Sequence, residues 1–129
     1  MNEAATRVSP RSATYSEGDA LAIVEAWQAR VRDAVAQRKP LCIRGGGSKD
    51  FYGEAPQGDV LDTRGCSGIV DYDPTELVVS VRAGTLLRDV ESVMAQHGQM
   101  LAFEPPHFGP DGATIGGAVA AGLSGPRRP

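Results

Sequence analysis

Gly45-Gly46-Gly47, followed at once by Ser48 and Lys49, is the stretch of this 129-residue chain whose residue types and spacing best suit chemistry. A diphosphate presents negative oxygens that need hydrogen-bond donors. Consecutive backbone N–H groups in a tight turn converge on such oxygens only where no Cβ intrudes. Each N–H bond to a charged oxygen contributes about 1.5–3 kcal/mol, so two or three together would anchor a ligand. Ser48 adds a hydroxyl donor, and Lys49 a charge whose long stem also lets it sit in solvent. Taken alone, the triplet fits an ordinary tight turn as well as a phosphate cradle. Two familiar phosphate loops are excluded. A Walker loop needs Ser or Thr directly after Gly-Lys, and here Lys49 follows Ser48. The dinucleotide fingerprint needs a sixth-position Gly, which is Asp50 when counted from Gly45.

A second run of small residues, Thr114-Ile115-Gly116-Gly117-Ala118-Val119-Ala120-Ala121-Gly122, would let backbone approach another body closely, or would pack tightly against a helix. Ahead of it lies Glu104-Pro105-Pro106-His107-Phe108-Gly109-Pro110, too rich in proline for helix or strand. Cys42 and Cys66 form no CxxC pair, and with His97 and His107 they share no metal-ligand spacing. Cys42, between Leu41 and Ile43, reads as a plain buried thiol.

The elements that must position these loops follow from periodicity. After a polar arm at 1–15, Ser16 and Asp19 give a weak capping pair. Leu21, Val24, Trp27 with Gln28, Val31, Ala34 and Val35 then recur at helical spacing, so a helix over 17–38 is expected, its apolar stripe against a sheet and its end near Pro40. Strands are expected at 41–44, 59–63, 69–72 and 77–82, the last two forming a hairpin across a type I turn at Asp73-Pro74-Thr75-Glu76. Thr85 is expected to cap a helix carrying Leu86, Leu87, Val90, Val93 and Met94 on one face, with Gly98 as its stop. A brief strand over 100–103 precedes the proline-rich loop.

Composition narrows the classes. With 41% hydrophobic and 22% charged residues the chain is ordinary globular, and its 16 Gly and 9 Pro mean many turns. A net charge of -3 with scattered Lys and Arg gives no footprint for nucleic acid. Apolar stretches fall far short of the roughly 20 residues of a membrane span, and residues 1–15 lack signal-peptide features, so a cytoplasmic protein is expected.

Several motifs together, in order and spacing, resemble the FAD domain of the vanillyl-alcohol oxidase (PCMH-type) family: Leu41 to Lys49, Val60 to Thr63, Ile69 to Glu76, Val81 to Thr85 and Thr114 to Gly117. Within that family, Asp71 to Leu77, Gly98 to Leu101, Glu104 to His107 and Gly122 to Pro129 are similar to the E-subunit group of bacterial glycolate oxidases. The resemblance spans about residues 17–129. It implies an α+β fold of two α/β subdomains, incomplete at the C-terminus, with residues 16–129 as the FAD-binding domain. It also implies an FAD pyrophosphate on Gly45, Gly46, Gly47, Ser48 and Lys49. Thr114, Ile115, Gly116, Gly117 and Gly122 would approach from the other side, helped by the Pro105-Pro106 turn.

Some members of the family attach flavin covalently through a His in or beside the first glycine loop. Residues 44–49 contain none, so FAD is expected to bind noncovalently, with His107 a loop residue near the cofactor. The resemblance further implies oxidation of a small 2-hydroxy acid, in a glycolate oxidase complex whose other members are a homologous flavin-binding protein and an iron-sulfur protein. That complex could be peripheral at the inner membrane. The family's catalytic residues fall mostly beyond this segment, so none is assigned. A D-lactate or other 2-hydroxy acid dehydrogenase, and a non-catalytic module without cofactor, stay open as alternatives.

Overall fold

The computed structural model describes residues 17–109 and 112–127. Within them the chain forms α1 (Glu17–Gln37), β1 (Leu41–Arg44), β2 (Asp59–Asp62), β3 (Ile69–Asp73), β4 (Val78–Val81), α2 (Leu87–Ala95) and α3 (Ile115–Ala121). The capping pair expected at Ser16 and the arm at 1–15 lie outside the described residues.

Two small sheets share the work. β1 and β2 run parallel, with Leu41 opposite Asp59 and Arg44 opposite Asp62. β3 and β4 are an antiparallel hairpin whose register shifts between Ile69 and Asp71. The hairpin turn sits one residue later than expected. Asp73 stays in β3 and its Oδ1 accepts from the Thr75 N–H at 2.9 Å and the Thr75 hydroxyl at 2.6 Å, so its carboxylate organises the turn from the strand end. Leu77, expected to begin β4, instead takes φ of +57° and closes the turn.

Helix ends obey one rule. α1 stops where Arg38 turns left-handed (φ +53°), with Arg38 N–H donating to Val35 O and Lys39 N–H to Ala34 O. α2 stops in the same way at Gly98 (φ +66°), through Gly98 to Ala95 and Gln99 to Met94 bonds. Pro40 then forbids further helix after α1.

Three expectations are corrected. Thr85 does not cap α2. Its hydroxyl lies 2.6 Å from Arg82 O and 3.1 Å from Gly68 O and accepts the Gly68 N–H at 2.9 Å, so it fastens the hairpin's open end instead. Leu86, which has no side-chain oxygen, holds the N-cap position. No strand forms over 100–103. Glu104 N–H folds back to Leu101 O, and Phe103 O accepts from Gly125 N–H, so this backbone is occupied by turn contacts. The small-residue run 114–122 is not an open loop. Ile115–Ala121 is helical, opened by Thr114, whose Oγ1 accepts from Gly117 N–H at 3.2 Å, and closed by Gly122 at φ 62°.

The core lies in the second half of the chain. Leu87, Ala113, Ile115 and Ala118 form one cluster and Tyr72, Val90 and Met94 another; Val81 and Leu101 pack against both. Buried Tyr72 donates its hydroxyl to Gln99 Oε1 at 2.6 Å, and Gln99 Nε2 donates to Pro74 O, which ties α2's exit to the hairpin turn. Burial pushes the Tyr72 phenol up from its ordinary pKa. The first half is thinner. α1 buries Ala20 and reaches β2 through Arg30 Nη2 to Val60 O at 2.9 Å. Its stripe is covered only in part, since Leu21 and Val35 are 62% and 72% exposed and Val24, Trp27 and Val31 line an open groove. The reason is one of numbers: a two-stranded sheet offers too little surface to cover 21 helical residues.

Candidate functional site

β1 delivers the glycine loop to the place where the two halves meet. At the strand's end, Arg44 O accepts the Thr63 N–H at 3.0 Å, fixing the point from which the loop departs. Inside the loop, Asp50 N–H donates to Gly47 O and Tyr52 N–H to Lys49 O. No described hydrogen bond uses the N–H groups of Gly46, Gly47, Ser48 or Lys49. These four donors are therefore available to a ligand, as a phosphate cradle requires.

The glycines of the triplet are needed for two reasons. A Cβ on Gly45 would lie 2.6 Å from Thr114 Oγ1, one on Gly46 would run into the Gly112 carbonyl, and Gly47 has φ of +74°. The first two are close approaches between this loop and the segment that opens α3. The result is a cleft of about 140 Å³ lined by Ile43, Arg44, Gly45, Gly46, Gly47, Ser48, Lys49, Asp50, Thr114 and Gly117. Larger grooves along α1, at Val24 to Arg32 and Val31 to Leu41, are mostly apolar and offer no comparable set of backbone donors.

Seven of the twelve residues singled out from sequence thus line one cleft: Gly45 through Lys49, Thr114 and Gly117. The other five do not line it. Ile115 is buried in the core, and Gly116 exists for packing, since its Cβ would stand 2.8 Å from that of Ala83. Gly122 is the left-handed residue that ends α3. Pro105 is buried and Pro106 half-buried away from the lining.

Two lining residues that sequence reasoning passed over are charged. Arg44 and Asp50 flank the loop and pair across it, Nε to Oδ2 at 3.0 Å and Nη2 to Oδ2 at 2.5 Å. The hydrogen bond from Arg44, and secondarily its charge, holds the Asp50 carboxyl below the usual range. Their signal in the sequence was opposite charge on either side of five loop residues. Beyond β2, Arg64 makes side-chain and backbone hydrogen bonds that hold Asp62 down to about 2. Lys49 Nζ stands 5.7 Å from the centre of the Phe108 ring, and Phe108 meets Phe51 edge-to-face at 5.3 Å. His107 is paired with Glu91 on α2 at 2.9 Å, and Cys42 and Cys66 are unpaired thiols. Among the described residues no group of three or more His, Cys, Asp or Glu is placed to hold a metal, and no helix is long and apolar enough to cross a membrane.

A family model described as an FAD binding domain matches residues 21–129, most of the chain and both sides of the cleft. The chain belongs to the FAD binding domain family. Its fold is the α+β arrangement expected of that family, and FAD is the cofactor of the domain. This FAD binding domain is similar to glycolate oxidase subunit GlcE of Escherichia coli (strain K12), with 51% identity over 100 residues, covering 78% of this chain and 28% of the relative. It is also similar to a D-lactate dehydrogenase of Archaeoglobus fulgidus, at 34% over 90 residues, covering 68% of this chain and 19% of the relative. The chain therefore spans less than a third of the length of either. No solved structure matches it significantly.

The residues present fit FAD's diphosphate on physical grounds. The glycine loop meets the small-residue start of α3, unused N–H donors remain on the loop, and Arg44 and Lys49 bring positive charge to a lining that also holds Asp50.

Proposed function

We propose that the cleft between residues 45–50 and the start of α3 holds the diphosphate of a noncovalently bound FAD, in a flavoprotein that oxidises a small 2-hydroxy acid. When bound, flavin supplies the hydride acceptor for the substrate's α-carbon. This chain's own part is to bind and orient. The N–H groups of Gly46 through Lys49 donate to phosphate oxygens, Ser48 adds a hydroxyl, and Thr114 and Gly117 form the opposite wall. The observation that carries the reading is the meeting of the two glycine segments in one cleft. Pro105, Pro106 and Gly122 then act at one remove, by shaping the path of the chain into and out of α3.

Noncovalent attachment is supported by the lining, which contains no His or Cys, and by the engagement of His107 with Glu91. The substrate class is supported by the activities for which both relatives are named, glycolate oxidation and D-lactate dehydrogenation. The higher identity to GlcE, by name a subunit of glycolate oxidase, favours glycolate and assembly with partner subunits, which the motif resemblance takes to be a homologous flavin-binding protein and an iron-sulfur protein. D-lactate or another 2-hydroxy acid is the second reading.

A direct test is titration of the chain with FAD, followed by flavin absorbance and by acid precipitation. Binding is expected, and precipitation should release all the flavin into the supernatant. Gly117→Val should abolish uptake with the circular dichroism spectrum unchanged. Its Cβ would stand 3.2 Å from Thr114 Oγ1, so that side chain must give by a few tenths of an ångström, and the added methyl groups would narrow the cleft that Gly117 lines. Unaltered uptake in this variant would place the cofactor elsewhere.

A further inference from the structure

The cleft's loop needs something to keep its donors turned towards a ligand, and the structure contains one device for it. Arg44 is the last residue of β1 and Asp50 the first residue beyond Lys49, so their pairing closes a ring around Gly45 to Lys49. The pairing is side-on: Nε lies 3.2 and 3.0 Å from the two carboxylate oxygens, and Nη2 lies 2.5 Å from Oδ2. Such a fork fixes orientation as well as distance. The guanidinium lies against Gly47, where an added Cβ would collide with Nη2 and stand 2.7 Å from Cζ. Gly47 is thus required both for its left-handed backbone and for the arginine's passage. The carbonyl of Arg44 accepts from both the N–H and the hydroxyl of Thr63, so the arginine departs from a fixed base.

The described hydrogen bonds of this guanidinium use Nε and Nη2, and none uses Nη1. Arg44 is 39% exposed and lines the cleft beside the unused N–H groups. Resting on the FAD reading of the cleft, we propose that Arg44 is a further diphosphate-binding residue, donating through Nη1, and that Asp50 is its positioning residue. Asp50 makes no contact of its own with the ligand in this arrangement. It orients a cation that would otherwise sample many rotamers in solvent.

The proposal makes a prediction opposite in sign to simple electrostatics. Removing a carboxylate from an anion site should tighten anion binding if charge alone mattered. If Asp50 acts by aiming Arg44, removing it should weaken binding. The experiment is fluorescence titration of the full chain with FAD, with circular dichroism confirming the fold of each variant. Arg44→Gln and Asp50→Ala should each raise the Kd for FAD, by roughly tenfold for the loss of a charge-assisted bond. Arg64→Gln removes another exposed Arg–Asp ion pair, outside the cleft, and should leave the Kd unchanged. Arg44→Lys should recover only part of the loss, since an ammonium cannot reproduce the fork. Unchanged or tighter binding in Asp50→Ala, or unchanged binding in Arg44→Gln, overturns the proposal while leaving FAD in the cleft. A parent chain that takes up no FAD overturns the cofactor reading and this inference together.

Discussion

Thr85 shows how a single side chain can be read correctly as important and wrongly as to its task. A Thr before an apolar helical run is the usual form of an N-cap. Here the residue is 4% exposed and its hydroxyl serves Gly68 N–H, Gly68 O and Arg82 O, so it seals the open end of the β3–β4 hairpin. Thr85→Val keeps the shape and removes the oxygen, leaving the part-buried Gly68 N–H without its acceptor. The expected cost is about 1 kcal/mol of stability in urea unfolding, the low end of the penalty for an unsatisfied buried donor because the Gly68 N–H is only part-buried. A loss near zero would mean that water replaces the hydroxyl. The same change should leave α2 intact, because Thr85 lends that helix no cap hydrogen bond.

At the level of elements, helices α1 and α2, the strands beginning at residues 41, 59 and 69 and the Asp73 turn region were legible, because period and breakers agree there. What sequence could not show was competition. Residues 100–103 have strand-like types, but the turn contacts of Phe103 and Glu104 claimed their backbone. Residues 114–122 read as a glycine loop because small residues let backbone approach another body closely, yet Thr114 at one end and Gly122 at the other supply start and stop signals for a helix over 115–121. The cleft itself was legible as two glycine segments. Their contact through Gly46 and Gly112 was not, since it joins residues 66 positions apart with no side chain to mark it.

Two of the three left-handed helix ends, at Arg38 and Gly98, allow a paired test. Gly98→Ala at φ +66° should destabilise by about 1 kcal/mol. Arg38→Gly at φ +53° should stabilise by roughly 0.5 kcal/mol, the relieved strain being partly offset by the freedom glycine has in the unfolded chain. Thermal melts of the two variants should move in opposite directions.

For the molecule as a whole, burial is uneven. Tyr72, Leu87 and Val90 are almost wholly enclosed, and they belong to β3 and α2; α1 and the first sheet contribute Ala20 and Leu61 to the core and leave Val31, Val35, Ile43 and Val60 largely in solvent. Local stability follows buried apolar contact. Hydrogen exchange should therefore be fastest in α1 and β1 and slowest in β3, β4 and α2. Addition of FAD should slow exchange at residues 41–50 and 112–118 together, because the ligand contacts both walls of the cleft and binds only the folded form. Protection confined to one wall would contradict a shared site.

The groove on α1 holds the chain's single tryptophan, Trp27, half-buried between Val24 and Val31. Because there is no second indole, all the ultraviolet emission of that kind comes from one known position outside the cleft. Flavin absorbs where indole emits, so cofactor loading should dim Trp27 by energy transfer, and the extent of dimming becomes a ruler from α1 to the isoalloxazine ring. Quenching by acrylamide would meanwhile report whether anything has come to lie over that helix.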